Sequence, residues 1–192
     1  GGREVFVSLR KTLEGKRHRG TLACVYMNLS SCDRRRRKPE FARHWLHRAT
    51  QLFRHLGMPS ELARARWCGA QLTIDVGDRA RGMRELRAAI RDFERLSMPA
   101  DAGFVALDLL EEITRDSSAA KEAETLARSL AELFVAAGAN VSSAKAVAYL
   151  RDAAIARKAD APLVAYVRRY VHQANVDPDR PFQPPISGVE PA

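Results

Sequence analysis

Three segments of this sequence repeat one another at nearly constant spacing, and that regularity narrows the possible folds more than any single residue does. Leu52-Phe53-Arg54-His55-Leu56-Gly57-Met58-Pro59 aligns with Asp92-Phe93-Glu94-Arg95-Leu96-Ser97-Met98-Pro99 and with Leu133-Phe134-Val135-Ala136-Ala137-Gly138-Ala139-Asn140. Phe53 and Phe93 are 40 residues apart, and Phe93 and Phe134 are 41 apart. In each unit a helix ends just after a Phe, a small residue follows, and a new helix restarts. Gly57 and Gly138 suit the left-handed position that terminates a helix, and Pro59 and Pro99 suit the first turn of the next. A helical pair of this size has too little apolar surface to stand alone, so neighbours must stack into a continuous core.

Apolar residues recur at helical spacing along most of the chain. The reading places helices at about Val5–Leu13, Thr21–Cys32, Pro39–Leu56, Ser60–Asp75, Arg79–Leu96, Ala100–Thr114, Ala119–Ala137, Ser142–Lys158 and Ala161–Ala174. Inward stripes include Leu22, Val25, Tyr26 and Leu29, then Phe41, Trp45, Leu46, Ala49, Leu52 and Phe53, then Met83, Leu86, Ala89, Ile90 and Phe93. Val76-Gly77-Asp78 is a turn that also supplies a helix cap, Ser117-Ser118 are expected to cap theirs, and Ser142 to open the next helix. Aromatics make up only 7% of the sequence, and no alternating strand pattern competes with the helices. The expected fold is therefore all-α, a right-handed α-solenoid of antiparallel helix pairs, with a compact bundle of the same helices as the alternative. Residues 1–20 form a basic N-terminal segment, 21–174 the helical-repeat domain, and 175–192 an extended Pro-rich tail. That tail either folds back over the last helices through Phe182 or serves as a docking peptide.

The repeats resemble those of the tetratricopeptide type, in the longer variety of roughly 40 residues found in bacterial transcriptional regulators and signalling scaffolds. The resemblance rests on the Ala-x-x-x-Phe endings Ala49–Phe53 and Ala89–Phe93 and covers Thr21–Lys158. It departs from the standard pattern in lacking an ordered Trp-x-x-Leu-Gly element, although Trp67 sits in a first helix, and in its degenerate last repeat. What the resemblance implies is binding of a peptide or protein partner along a concave groove, with no catalytic residue. Arg64, Arg66, Trp67 and Gln71, on one such first helix, are the candidate groove residues.

Charge gives a second candidate. Residues 1–60 hold 14 Lys/Arg against 4 Asp/Glu, whereas residues 61–192 hold 18 against 19. The excess peaks at Arg34-Arg35-Arg36-Arg37-Lys38, with Lys11, Lys16, Arg17, Arg43 and Arg48 nearby. Such a run suits an acidic protein partner or the phosphates of a nucleic acid, and in its plainest form it is a solvated loop. Without interleaved aromatics, any nucleic-acid binding would be backbone-driven, and this is the alternative function.

Other chemistries find less support. Cys24, Cys32, His44 and His47 share one stretch, but seven residues separate the two cysteines, too far for a tight zinc turn. Buried reduced thiols are expected at Cys24, Cys32 and Cys68, and no metal or cofactor is expected. Asp108, Glu111 and Glu112 are expected to form a solvated helix face rather than an acid–base pair. There is no glycine-rich phosphate loop and no nucleophile motif, so the expectation is a binding module and not an enzyme. Without a long apolar stretch or a leader pattern, the expected location is cytoplasmic, without membrane contact. Self-association through an uncapped end is a further expectation of the solenoid reading. The opening Gly-Gly rather than Met is compatible with a piece of a longer regulator.

Overall fold

The computed structural model describes residues 2–14 and 18–185. Those residues form nine α-helices and one short 3-10 turn, with no strand among them. The helices are α1 (Gly2–Leu13), α2 (Arg19–Arg35), α3 (Pro39–His55), α4 (Pro59–Asp75), α5 (Arg79–Arg95), α6 (Pro99–Ile113), α7 (Ala120–Ala136), α8 (Val141–Ile155) and α9 (Ala161–Ala174). No helix among them is long and apolar enough to cross a membrane. Lys16, Arg17 and the last residues of the tail, from 186 on, lie outside the described residues.

The repeat has a backbone cause. Left-handed residues stand at Arg37, Gly57, Gly77 and Ser97, each 20 positions after the last, and again at Gly138 and Arg157. After each of the first four the chain advances two residues and re-enters a helix, through Pro39, Pro59 and Pro99 in three cases. The same terminating bond recurs: Met58 N–H to Phe53 O at 3.0 Å, Met98 N–H to Phe93 O at 2.9 Å, and Lys38 N–H to Asp33 O at 2.9 Å. These satisfy carbonyls that a helix end otherwise leaves open. The 40-residue period is thus two helices of 17 residues or so with a three-residue turn after each. Asp78 caps α5, its carboxylate accepting from Arg81 N–H at 3.2 Å.

Several expectations are corrected. Helix α2 runs through Arg35, so the basic run is partly helical rather than a free connection. Asp116, not Ser117 or Ser118, accepts the capping bond before the 3-10 turn Ser117–Ala119, and α8 opens at Val141, capped by Asn140 through Ser143 N–H at 2.8 Å. Phe41 is exposed, because the buried stripe of α3 centres on Ala42, Trp45, Leu46, Ala49 and Phe53 and leaves Phe41 on its flank in the first turn. Cys24 is exposed and Cys32 and Cys68 are half-buried, all three as free thiols.

The chain divides into two compact units, the first reaching to Asp92 and the second starting at Phe93. In unit 1, α1 packs on α2, α2 on α3, and α3 on α4, and α2 also reaches α4 across the intervening helix. Its core gathers Tyr26, Leu29, Trp45, Ala49, Phe53 and Leu72. Gly82 lets α5 lie close to α4: a Cβ there would stand 2.3 Å from Ile74 Cγ1 and 3.0 Å from the Ala70 carbonyl. In unit 2, α6 packs on α7, α7 on α8 and α8 on α9, and α9 returns to α6, closing the four helices on themselves. The described part of the tail packs on this unit. Phe182 lies against Tyr149, Tyr166 and Tyr170, at 5.8, 6.4 and 5.0 Å between ring centres. The Tyr166 hydroxyl donates to Gln183 O at 2.7 Å and that of Tyr170 to Arg180 O at 2.6 Å. Of the two readings of the tail, residues up to 185 adopt the folded-back one.

Candidate functional site

The basic run is not one patch. Arg34 turns toward α4, its guanidinium forking onto Asp75 at 2.6 and 3.3 Å and donating to Gln71 Oε1 at 2.8 Å. That contact ties the end of α2 to α4. Arg35, Arg36, Arg37 and Lys38 remain exposed. With Pro39, Leu72 and Asp75, the side chains of Arg34, Arg35 and Arg37 line a groove of about 610 Å³.

Much of the remaining positive charge in this unit is structural. Asp33 is fully buried and accepts two bonds from Arg3, at 2.6 and 3.1 Å, and one from Trp45 Nε1 at 3.1 Å. The paired carboxylate draws the Arg3 guanidinium further up from its already high range. Arg10 lies over the Trp45 ring at 5.2 Å and Arg48 over Tyr26 at 4.7 Å, and both come within ion-pair range of Glu14. Tyr26 in turn donates to Glu14 at 3.0 Å. Burial first, and this bond second, push the Tyr26 phenol up.

A larger groove, of about 950 Å³, lies along α3, α4 and α5. Its lining is Thr50 and Arg54 from α3, Leu62, Arg66 and Gly69 from α4, and Arg81, Arg84, Glu85 and Ala88 from α5. The positions on α5 are spaced by three, four and seven residues from Arg81, so they share one helix face. Arg81 Nε donates to Glu85 Oε1 at 2.8 Å, and Glu85 also accepts from the Thr73 hydroxyl at 2.9 Å. Arg66 is paired with Asp92. Arg54 and Arg84 are exposed and have no carboxylate in ion-pair range among the described residues.

Of the four groove candidates named from sequence, only Arg66 lines this groove. Gln71 faces Arg34, and Arg64, half-buried, lies 3.6 Å from Glu61. Trp67 is half-buried. On α4, Leu62, Arg66, Gly69 and Thr73 share one side, whereas Arg64, Trp67 and Gln71 share another. Arg54, Arg81 and Arg84 were missed because the groove is built by three helices, and no helix read alone reveals which of its polar faces meets another.

The acidic residues of α6 are not the solvated face expected of them. Asp108 and Glu112 are buried, and Glu111 is half-buried. Arg168 from α9 reaches Asp108 Oδ1 at 2.5 Å and Glu111 Oε2 at 3.0 Å, while Arg115 approaches Glu112 at 3.3 Å. The Arg168–Glu111 contact is a close ion pair without hydrogen-bond geometry, leaving that oxygen without a hydrogen bond. Burial pushes the Glu111 carboxyl up, with Arg168 opposing it. His172, one turn on from Arg168, stacks on Phe104 at 4.4 Å. Loss of hydration lowers its imidazole below the ordinary range, against the pull of Asp108.

His44 packs edge-on against Trp45, and His47 pairs with Gln51. Among the described residues no three His, Cys, Asp or Glu side chains are placed to hold a metal ion. Comparison with protein-family models, with curated proteins and with solved structures gives no match.

Proposed function

We propose that the chain is a protein–protein interaction module, a scaffold or regulatory sensor of the tetratricopeptide-like α-solenoid kind, that binds a protein or peptide segment in a groove between its helices. The α3–α4–α5 groove carries this reading: it is the larger of the two described, and three consecutive helices contribute polar side chains to it. The solenoid reading draws its support from unit 1, where α2 touches both α3 and α4 and the turns recur every 20 residues. The proposal makes the chain a binding module and not an enzyme: Asp108, Glu111 and Glu112 of α6 are taken up by Arg168 and Arg115. A bacterial, cytoplasmic regulator is the setting in which this resemblance is at home.

The experiment is partner capture with a photo-reactive group at Ala88 in the groove or at Ala165 on α9, in nuclease-treated lysate of the source cell. A discrete protein labelled from Ala88 and not from Ala165, and lost when Thr50→Trp fills the groove, supports the proposal. Equal labelling from both sites contradicts it.

A second reading has its own observation. Arg35, Arg36, Arg37 and Lys38 stay exposed at the end of α2 and could contact a phosphate backbone. It predicts nucleic-acid binding that weakens steeply with salt and is lost when Arg35, Arg36 and Arg37 are replaced by Ala.

A further inference from the structure

We infer that the α3–α4–α5 groove selects a carboxylate-rich peptide segment, which engages Arg54 and Arg84 and competes with Asp92 and Glu85 for Arg66 and Arg81. The inference rests on the groove being the binding surface and adds the chemistry of what enters it. Four guanidinium groups meet around one groove, and only two carboxylates accompany them. Two positive charges are therefore left over, on Arg54 and Arg84, in a concave site with apolar walls where a charge pair is less screened than on open surface.

The protein's own contacts show which anion the site accommodates. Arg66–Asp92 and Arg81–Glu85 are guanidinium–carboxylate pairs already formed at this groove. The planar fork of Arg favours this geometry, and an incoming Glu or Asp side chain can take the same places. Side-chain exposure is 49% for Arg66 and 62% for Arg81, so both guanidiniums can be reached while still paired. Leu62, Gly69 and Ala88 give apolar wall between the charges, which suits an apolar residue set among acidic ones. The volume lies at the upper end of the range in which small ligands and short segments are held.

A nucleic acid fits less well here. No aromatic side chain lines the groove to stack on a base, and Glu85 and Asp92 would repel a continuous phosphate track. The exposed Arg35–Lys38 positions likewise have no aromatic but carry no carboxylate among themselves, so the two basic regions differ in the anion they suit.

The test is fluorescence anisotropy on the full chain with two labelled probes of matched negative charge, a short Glu-rich peptide with interspersed Leu and a single-stranded DNA. The peptide is expected to bind the parent, to lose about tenfold or more in affinity when Arg54→Ala and Arg84→Ala are combined, and to be little affected by Ala at Arg35, Arg36 and Arg37. Glu85→Gln removes a competitor and should tighten the peptide. Circular dichroism checks that each variant folds. Peptide affinity unchanged by Arg54→Ala/Arg84→Ala overturns the inference, as does DNA that binds through these arginines more tightly than the peptide. The groove itself is tested apart by Thr50→Trp with the captured partner. If Thr50→Trp abolishes capture while Arg54→Ala/Arg84→Ala leaves it intact, the groove stands and the acidic preference falls. If neither variant affects capture, both fall.

Discussion

In unit 1, Arg54, Arg66, Arg81 and Arg84 line a groove along α3, α4 and α5, whereas in unit 2 the acidic residues Asp108, Glu111 and Glu112 are drawn inward and answered there. Arg168 stands between Asp108 and Glu111, α9 returns to α6, and residues up to 185 lie across α8 and α9 with Phe182 among three tyrosines. Unit 1 has no comparable closure among its described contacts: α2 reaches past α3 to α4, as in a stack that can continue. The same short helices and turns thus serve two ends. Unit 1 gathers four arginines from three helices around one groove, two of them without a carboxylate in ion-pair range among the described residues, whereas in unit 2 an arginine is turned onto the buried carboxylates of a neighbouring helix. This difference is why the binding proposal is placed on unit 1.

The largest expected effect tests the packing shared by the repeats. Phe93 is fully buried, and Phe93→Ala should cost about 3–5 kcal/mol through lost contact and a residual cavity; a urea midpoint equal to the parent's would show the repeat register to be wrong. Next comes the inward charge of unit 2. Arg168→Ala leaves the buried Asp108 without its cation and should cost about 3 kcal/mol. Both tryptophans, Trp45 and Trp67, lie in unit 1, so circular dichroism should register this loss more strongly than tryptophan fluorescence does. A variant as stable as the parent would remove the contrast between the units.

Arg3→Ala is the matching change in unit 1. It takes two of the three bonds from buried Asp33 and should cost about 2 kcal/mol, seen this time in the tryptophan signal, because Trp45 donates the third bond. The smallest effect is the pH response of unit 2. His172 has a lowered pKa in the fold, so the unfolded chain binds the proton more readily. The stability it contributes is present above the ordinary value of 6.5 and is lost as pH falls through the lower folded value. Glu111 acts oppositely: raised above 4.5 by burial, it contributes stability at low pH that is lost as pH rises through its folded value. His172→Phe keeps the stack on Phe104 and removes only the first of these, so its melting temperature should fall less than the parent's between pH 7 and pH values below 6.5. Identical slopes would mean that His172 is not held neutral.

Local signals made much of the fold readable. Pro39, Pro59, Pro99 and Gly57 mark helix ends by conformation alone, and α9 spans the residues expected of it, Ala161–Ala174. Asp78 was readable as a cap because its partner is three residues away. Arg37 and Ser97 hold the same left-handed place as Gly57 and Gly77 without being glycine, so two turns of the series carried no glycine signal. Asp33 met Arg3 and Trp45 only through folding, 30 and 12 residues away, and the turn of Arg34 toward α4 needed Asp75, 41 residues on. The groove was legible least of all. Arg66 alone was singled out, because the arginines around it converge from separate helices, and charge spacing along one helix does not encode that meeting.

The most direct test of the account is hydrogen exchange on the full chain with and without the Glu-rich peptide. The account predicts that added protection concentrates in α3, α4 and α5 between residues 50 and 88, with α6 to α9 unchanged. Protection centred on residues 34–38, or spread over unit 2, would contradict it.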